Sequence, residues 1–485
     1  MRFLFLVVLV VFLAGITFSQ TKDIPANPVT PSPQQIEYQK MEIIGFIHYT
    51  VNAFTDKEWG DGSESPEIFD PSELNVNQWV AAAQAGGMRQ LILTAKHHDG
   101  FCLWPSEYTE HSVKNSPYKN GKGDIVGELA TACKNAGLKF GVYLSPWDRN
   151  HAEYARPEYI VYYHNQLREL LTNYGIISEM WFDGANGGDG WYGGANETRR
   201  IDRDTYYQWP ITWGLVKHLQ PDVLIFSDAG PDIRWIGNEK GIAGETCWPM
   251  FNRNKVTVGG ADQAYLNTGD PNGPHWVVGE CDVSIRPGWF YHKDENDQVK
   301  TPQQLVDLYY KSVGRNGTFL LNIPPDQRGL IHENDVKSLT EFKSILDETF
   351  ETNLALGAKV QSTSQWSRVA KFQADNVTDD DLESYWAAKE GDIKSMLTIN
   401  LGEPKTFDRI MLQEPIRLGQ RIAKFSVEAH VDGKWQEIAS ATTIGYKRLL
   451  RIEPITIAKI RVKILEANNT PALSNVALYK ASPRE

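Results

Sequence analysis

The pattern of apolar and polar positions changes character near Asn353. Upstream, short apolar runs alternate with stretches in which apolar residues recur every three or four positions, the pattern of buried strands each followed by an amphipathic helix. The runs cover 45–49, 90–95, 139–145, 176–183, 222–228, 276–280 and 318–323. The helical stretches cover 74–85, 124–136, a segment with Ile160, Tyr163, Leu167, Leu170 and Leu171 on one face, 213–219, 303–313 and 335–350. Gly86-Gly87, Gly137 and Gly175 follow three of them, where helices end. Repeats of this kind over about 300 residues predict a (β/α)8-like barrel. A doubly wound open sheet is the alternative, but the Gly-rich phosphate-binding fingerprint that would favour it is absent.

Downstream, the period falls to two. Residues 425–431 and 434–438 flank Asp432-Gly433, a tight-turn dipeptide between two strands, and 448–452 and 457–465 continue the alternation without a helical stretch. The division that follows is a barrel over 41–350 and a β-sandwich over 351–485, an α/β unit followed by an all-β one.

The chain opens with an almost unbroken apolar stretch over 3–18 behind Arg2, with small residues after it. That is a secretory signal over 1–19, and no later run is long and apolar enough to span a bilayer. Pro25, Pro28, Pro31 and Pro33 make 20–40 an extended strap into the barrel. The mature protein is therefore expected to be exported, periplasmic or extracellular, and free of the membrane once the signal is cleaved.

Charge removes one class of partner. The 49 basic and 61 acidic residues give a net charge of −12, with no basic cluster, which argues against nucleic acid. Cys102, Cys133, Cys247 and Cys281 lack any paired metal spacing, so free buried thiols and one or two disulfides both stay open. Fifteen Trp and twenty Tyr offer faces on which sugars stack, although aromatic residues are core residues first.

Candidate chemistry concentrates at strand ends. His48, His97 with His98, Tyr143, Asp183 and Asp228 all fall where an apolar run stops, and a barrel gathers such ends at one mouth. Each alone has an ordinary explanation. A strand-end Asp fixes turns or caps helices, and adjacent strand residues face opposite ways, so a His pair reads as one core residue and one bonded to backbone. Taken together, carboxylates beside aromatic and imidazole groups, with no metal motif, point to glycoside hydrolysis by two acids. Asp183, in Trp181-Phe182-Asp183-Gly184, suits the ionised partner. Asp228, Asp232 and Glu239 compete for the proton-bearing role. Arg234 or backbone amides holding either Asp would lower its pKa and disqualify it, and Glu239, in a Gly-flanked loop, looks like any solvated Glu.

The motifs Gly45-Phe46-Ile47-His48-Tyr49, Lys96-His97-His98-Asp99-Gly100-Phe101, Gly141-Val142-Tyr143-Leu144-Ser145-Pro146-Trp147, Trp181-Phe182-Asp183-Gly184-Ala185 and Pro287-Gly288-Trp289-Phe290-Tyr291-His292 together resemble the α-L-fucosidases of glycoside hydrolase family 29. Residues 227–241 and Gly244-Glu245-Thr246-Cys247-Trp248 resemble its subgroup acting on α-1,3/1,4-linked fucose. The resemblance implies a retaining double displacement with Asp183 as nucleophile and Glu239 as acid/base. It also implies that His48, His97, His98 and Tyr143 contact fucose hydroxyls, that Glu58 and Trp59 border the pocket, and that Trp289 walls the sugar's methyl group. No metal and no cofactor is implied for catalysis. Residues 186–204, Gly-rich and charged, look like an insertion whose Trp191 and Tyr192 shape outer subsites.

Asn353-Leu354-Ala355, Asp375-Asn376-Val377-Thr378-Asp379 and Trp386 resemble a discoidin-like (coagulation-factor type C) domain, a fold used for binding sugars and equally for bracing a neighbour. Its acidic run Asp379-Asp380-Asp381 either holds a structural Ca²⁺ or is a solvated turn. The expected function is release of terminal fucose from a fucosylated oligosaccharide or glycoconjugate. A non-catalytic fucose-binding protein and a retaining glycosidase for another hexose are the alternatives.

Overall fold

The computed structural model describes residues 23–260 and 262–485; the signal expected over 1–19 lies outside them. Eight parallel strands close into a barrel: β1 (Ile43–Ile47), β2 (Gln90–Lys96), β3 (Lys139–Leu144), β4 (Glu179–Trp181), β5 (Leu224–Ser227), β6 (Ile233–Trp235), β7 (Val278–Ser284) and β8 (Thr318–Asn322), each hydrogen-bonded to its neighbour in sequence and β8 to β1. The open sheet is thereby excluded. All residues of these strands are buried apart from Lys139 at the start of β3 and Trp235 at the end of β6, as a parallel sheet wrapped by helices requires.

The helical shell is incomplete. Helices α2 (Val76–Ala85), α3 (Ile125–Ala136), α4 (Pro157–Asn173), α5 (Trp209–Leu219), α6 (Pro302–Lys311) and α7 (Glu333–Phe350) follow six of the strands. β5 turns into β6 within five residues, and β6 is followed by an excursion over 236–277 that holds, among the described residues, the short α-helix Gln263–Thr268 and the 3-10 turn Arg253–Lys255. Local signals set the helix ends. The Asn75 side chain caps α2, Asp124 caps α3 and Gly137 ends it at φ 74°, and Thr301 with Gln304 forms a capping box before Pro302.

Two expectations need correction. Residues 33–41, read as part of an extended strap, form helix α1 (Pro33–Met41), opened by a Ser32–Gln35 capping box with Pro33 in the first turn. That signal lay within the proline-rich run, and the prolines masked it. The run before Asp183 is also shorter than its apolar residues suggest, because Ile176 is 87% exposed and the strand begins only at Glu179. Helix α1 lies across the N-terminal end of the barrel, where Gln35 donates to Asp232 O and Trp276 O, both at 2.9 Å.

Beyond residue 353 the chain is antiparallel. Strands β9 (Lys359–Ser362), β10 (Met396–Gln413), β11 (Ile422–Val431), β12 (Lys434–Thr442), β13 (Arg448–Ala467) and β14 (Asn475–Tyr479) form one sheet, with β10 at its centre paired to β9, β13 and β14. Register shifts between Asn400 and Lys405 and between Phe407 and Arg409 bend β10 around an apolar core that includes Phe407, Phe425, Ile460 and Trp386. The β11–β12 hairpin turns at Asp432-Gly433, both at positive φ.

This unit docks on the N-terminal rim of the barrel, away from the strand ends that carry chemistry. Tyr446 donates to Glu42 just before β1 at 2.8 Å, and the Asn316 side chain just before β8 accepts from Tyr446 N at 2.7 Å. The four cysteines are free and buried. In the acidic turn, Asp379 accepts from Asp381 N and Ser384 Oγ, and Asp381 from Glu383 N. Those carboxylates hold the turn itself, and among the described residues no cluster of three or more His, Cys, Asp or Glu is arranged to hold a metal ion.

Candidate active site

At the C-terminal mouth of the barrel lies a cavity of about 480 Å³. Phe46, His48, Glu58, Trp59, His97, His98, Asp183, Asp228, Glu239, Asp282 and Trp289 are among its lining residues. Of the catalytic and sugar-contacting residues that the resemblance implies, Tyr143 alone is not at the cavity surface, and it reaches the site through its hydroxyl.

Asp183 follows β4 directly, and its side chain is 25% exposed to the cavity. Oδ1 accepts from Ala185 N at 2.7 Å and Oδ2 from the Tyr143 hydroxyl at 3.0 Å, while His98 Nε2 stands 3.8 Å from Oδ2. Tyr143 is fully buried, which pushes its pKa far up, so it remains a hydrogen-bond donor. Beneath, Trp181 stacks on Phe226 at 4.1 Å and 7°, and its indole donates to Glu280 at 2.8 Å. The carboxylate is thus fixed on a rigid aromatic floor.

The imidazoles are neutral, and the bonds around them set their tautomers. Both Asn322 amide hydrogens are used, on Ser284 Oγ at 2.9 Å and Trp289 O at 2.7 Å, so its Oδ1 accepts from His48 Nδ1 at 2.9 Å. The Ser145 hydroxyl donates to Trp147 O at 2.6 Å, so its oxygen accepts from His98 Nδ1 at 2.7 Å. In each ring Nε2 is left with a lone pair, ready to accept from a hydroxyl. Burial lowers His48 to about 4 and lowers His97 and His98 as well. The ordinary reading of the His97-His98 pair, one core residue and one bonded to backbone, does not describe their placement. Both residues lie past the end of β2, their rings are 4.1 Å apart, and both line the cavity, because strand alternation no longer applies there.

A second set of groups comes from loops. Glu58 accepts from Trp289 N at 2.9 Å, Phe290 N at 3.1 Å and His292 Nε2 at 2.7 Å, which fastens the Trp289 loop to the mouth. The Trp289 ring packs on His48 at 5.1 Å, and its Nε1 donates to Glu239 Oε2 at 3.2 Å. Glu239 is exposed at the rim. Trp59, 54% exposed, meets His98 and Trp147 edge-on.

The other acid candidates separate clearly. Asp232 points away from the cavity, accepting from Ile225 N at 2.9 Å and pairing with Lys217 at 2.8 Å. Arg234 holds neither Asp; its guanidinium donates to the carbonyls of Leu266, Trp248 and Val277. Asp228 accepts from Gly259 N at 2.7 Å, yet its pKa rises to about 6, because burial and then nearby Asp183 outweigh that bond. The expected lowering therefore does not occur at Asp228. In the 186–204 insertion, Tyr192 is a buried strut rather than a subsite wall: its hydroxyl accepts from Trp147 Nε1 at 3.0 Å and donates to Gly188 O at 2.8 Å.

Three groups escaped the reading of the sequence. Asn322 ends the run Thr318-Phe319-Leu320-Leu321 just as His48 ends its own, and that polar strand end was the available signal. Trp147 stood in a quoted motif with no role. Asp282 lies in β7, beyond the point where the apolar run appeared to stop, and only the alternation Glu280, Asp282, Ser284 marks it as facing inward.

Comparison with known proteins gives a consistent picture. The family model described as alpha-L-fucosidase matches residues 31–349, and that of the F5/8 type C domain matches 359–478. Alpha-L-fucosidase 1 of Arabidopsis thaliana is 45% identical over 93% of this chain and 87% of its own. The crystal structure of a glycoside hydrolase 29 family member from an unknown rumen bacterium superposes with a TM-score of 0.84 at 46% identity, covering 95% of this chain and 78% of that one. A Ruminococcus gnavus GH29 fucosidase in complex with fucose gives 0.84 at 32%, covering 96% and 97%.

Proposed function

Since this chain belongs to the alpha-L-fucosidase family, we propose that it removes terminal α-L-fucose from glycans by a retaining double displacement, with Asp183 as nucleophile and Glu239 as acid/base. Asp183 attacks the anomeric carbon as Glu239 passes its proton to the departing glycosidic oxygen; Glu239 then takes a proton from water, which displaces Asp183 and frees fucose. The observation that carries the reading is the strand-end carboxylate held by Tyr143 and Ala185 at one cavity whose rim bears Glu239 on the Trp289 indole.

Glu239 suits the acid role better than Asp228 on position. A leaving group departs toward solvent, where Glu239 sits, whereas Asp228 is 8% exposed and tied to Gly259 beside the nucleophile turn. His48 and His98 supply acceptors for sugar hydroxyls, and Trp289 supplies an apolar face for the C6 methyl of a 6-deoxy sugar. The resemblance of 227–241 to the α-1,3/1,4-preferring subgroup supports that linkage.

The apolar 3–18 run supports export, and amino-terminal sequencing of the mature protein checks it. Incubation with fucosylated oligosaccharides of defined linkage tests the activity. Fucose should appear first as the α-anomer by NMR, and faster from α-1,3 and α-1,4 than from α-1,2 linkages. Initial release of the β-anomer would exclude double displacement. Binding without release would make the protein a fucose lectin.

A further inference from the structure

Three residues of β7 alternate on the inner face of the barrel. Glu280 accepts from Trp181 and Tyr38, and Ser284 Oγ from Asn322. Asp282 lies between them at 4% exposure and lines the cavity, and among the described residues its Oδ1, closed to solvent, has no hydrogen-bond partner. A buried carboxyl oxygen left in this way costs least when the carboxyl is neutral and its proton sits on the other oxygen.

The segment above it is docked in a specific register. Ile236 N donates to Glu280 O at 3.0 Å and Gly241 N to Asp282 O at 3.1 Å, which lays 236–241 along β7 and brings Glu239 over Asp282. Trp235 and Glu239 face Asp282 from that side, Glu280 from its own strand, and Leu320 is its register partner on β8. Among the described residues, no Lys or Arg lines the cavity to hold it as a carboxylate. Burial first, then Glu239 and Glu280, push its pKa far above the carboxylate range, outweighing a hydrogen bond from the Trp235 side chain.

We propose that Asp282 is a further substrate-binding residue that works as a neutral carboxylic acid, donating its O–H to an oxygen of the sugar seated on Asp183. The chemistry of the floor calls for such a group. Asp183, His48 Nε2 and His98 Nε2 all accept, and a hydroxyl-rich ligand also needs donors. The proposal rests on the fucosidase reading of the cavity and adds a donor to it.

The test compares the full-length wild type with Asp282→Ala and Asp282→Asn, measuring kcat and KM on an aryl α-L-fucoside, free-fucose binding by calorimetry, and thermal unfolding. Asp282→Ala should raise KM and weaken fucose binding tenfold or more without lowering the unfolding temperature. Asp282→Asn should recover most of that loss, since an amide donates without charge. Unchanged fucose binding in the Ala variant overturns the proposal, and so does an Asn variant as impaired as Ala, which would mean an ionised acceptor. Should the Ala variant not fold, Asp282→Ser, too short to reach the ligand, replaces it. Asp183→Ala assayed alongside separates the two levels: near-normal turnover there removes the fucosidase reading itself, whereas a dead Asp183→Ala with normal binding in Asp282→Ala removes only this inference.

Discussion

The site has two halves built on different principles. The half on strand ends, Asp183 with Tyr143, His48 and His98, is fixed in advance: side chains with assigned partners, neutral imidazoles and a stacked aromatic floor. The half on loops, Glu239, Trp289 and Glu58, hangs together through a few contacts, and Glu239 itself is exposed with one indole N–H as its side-chain partner. The difference follows from the two tasks. A nucleophile has to meet one carbon at one angle, so its placement cannot vary. An acid/base must give a proton, take one back and let the aglycone leave between those steps, which a rim position allows.

The contrast can be broken at several points. Asp183→Ala should lower kcat by about 10⁴-fold or more with the fold intact by circular dichroism, because the carboxylate that forms the covalent bond is removed. Near-normal turnover would show that the rigid half is not the reacting half. Glu239→Ala should cost about 10²- to 10⁴-fold on oligosaccharides but far less on aryl fucosides with activated leaving groups, which need little protonation. Equal losses on both would move the acid to Asp228.

Glu58→Ala tests the joint between the halves. It frees the Trp289 and Phe290 amides and His292, so KM should rise about tenfold with a smaller change in kcat, and a fall in kcat alone would contradict a purely positioning role. The mildest effect is on stability. Folded Asp228 keeps its proton up to about 6, against an ordinary value of 3.8, so its contribution is present below 3.8 and is lost as pH rises toward 6. Asp228→Asn does not ionise. Urea unfolding should find it close to wild type near pH 4 and more stable at pH 7, by on the order of 2–3 kcal/mol.

What could be read from the sequence follows the same division. Barrel strands announce themselves because they are buried on both faces, and the residue that ends such a run must lie at the mouth, so His48, Tyr143 and Asp183 were legible by position. The loop half has no comparable rule. Glu239 is seven residues from Asp232 in sequence, and only the fold shows that one sits at the rim while the other is clamped by Lys217. Strand alternation alone would send one of His97 and His98 into the core; it stops applying one step past the strand, and only the resemblance assigned both to the sugar. Helix α1 was missed because prolines count against helices everywhere except in the first turn, where Pro33 stands. Asp282 was hidden by a rule that usually serves well, that strand interiors are apolar.

The attachment of the discoidin-like unit to the barrel's N-terminal rim has a consequence for what the enzyme can approach. Its sheet stands behind the catalytic opening, at Glu42 and Asn316, so no part of it lines the cavity or crowds the path of an incoming glycan. The size of the branch that fits depends on rim groups such as Trp59, Trp235 and Glu239, and a chain tethered by its tail to some surface would present its mouth outward.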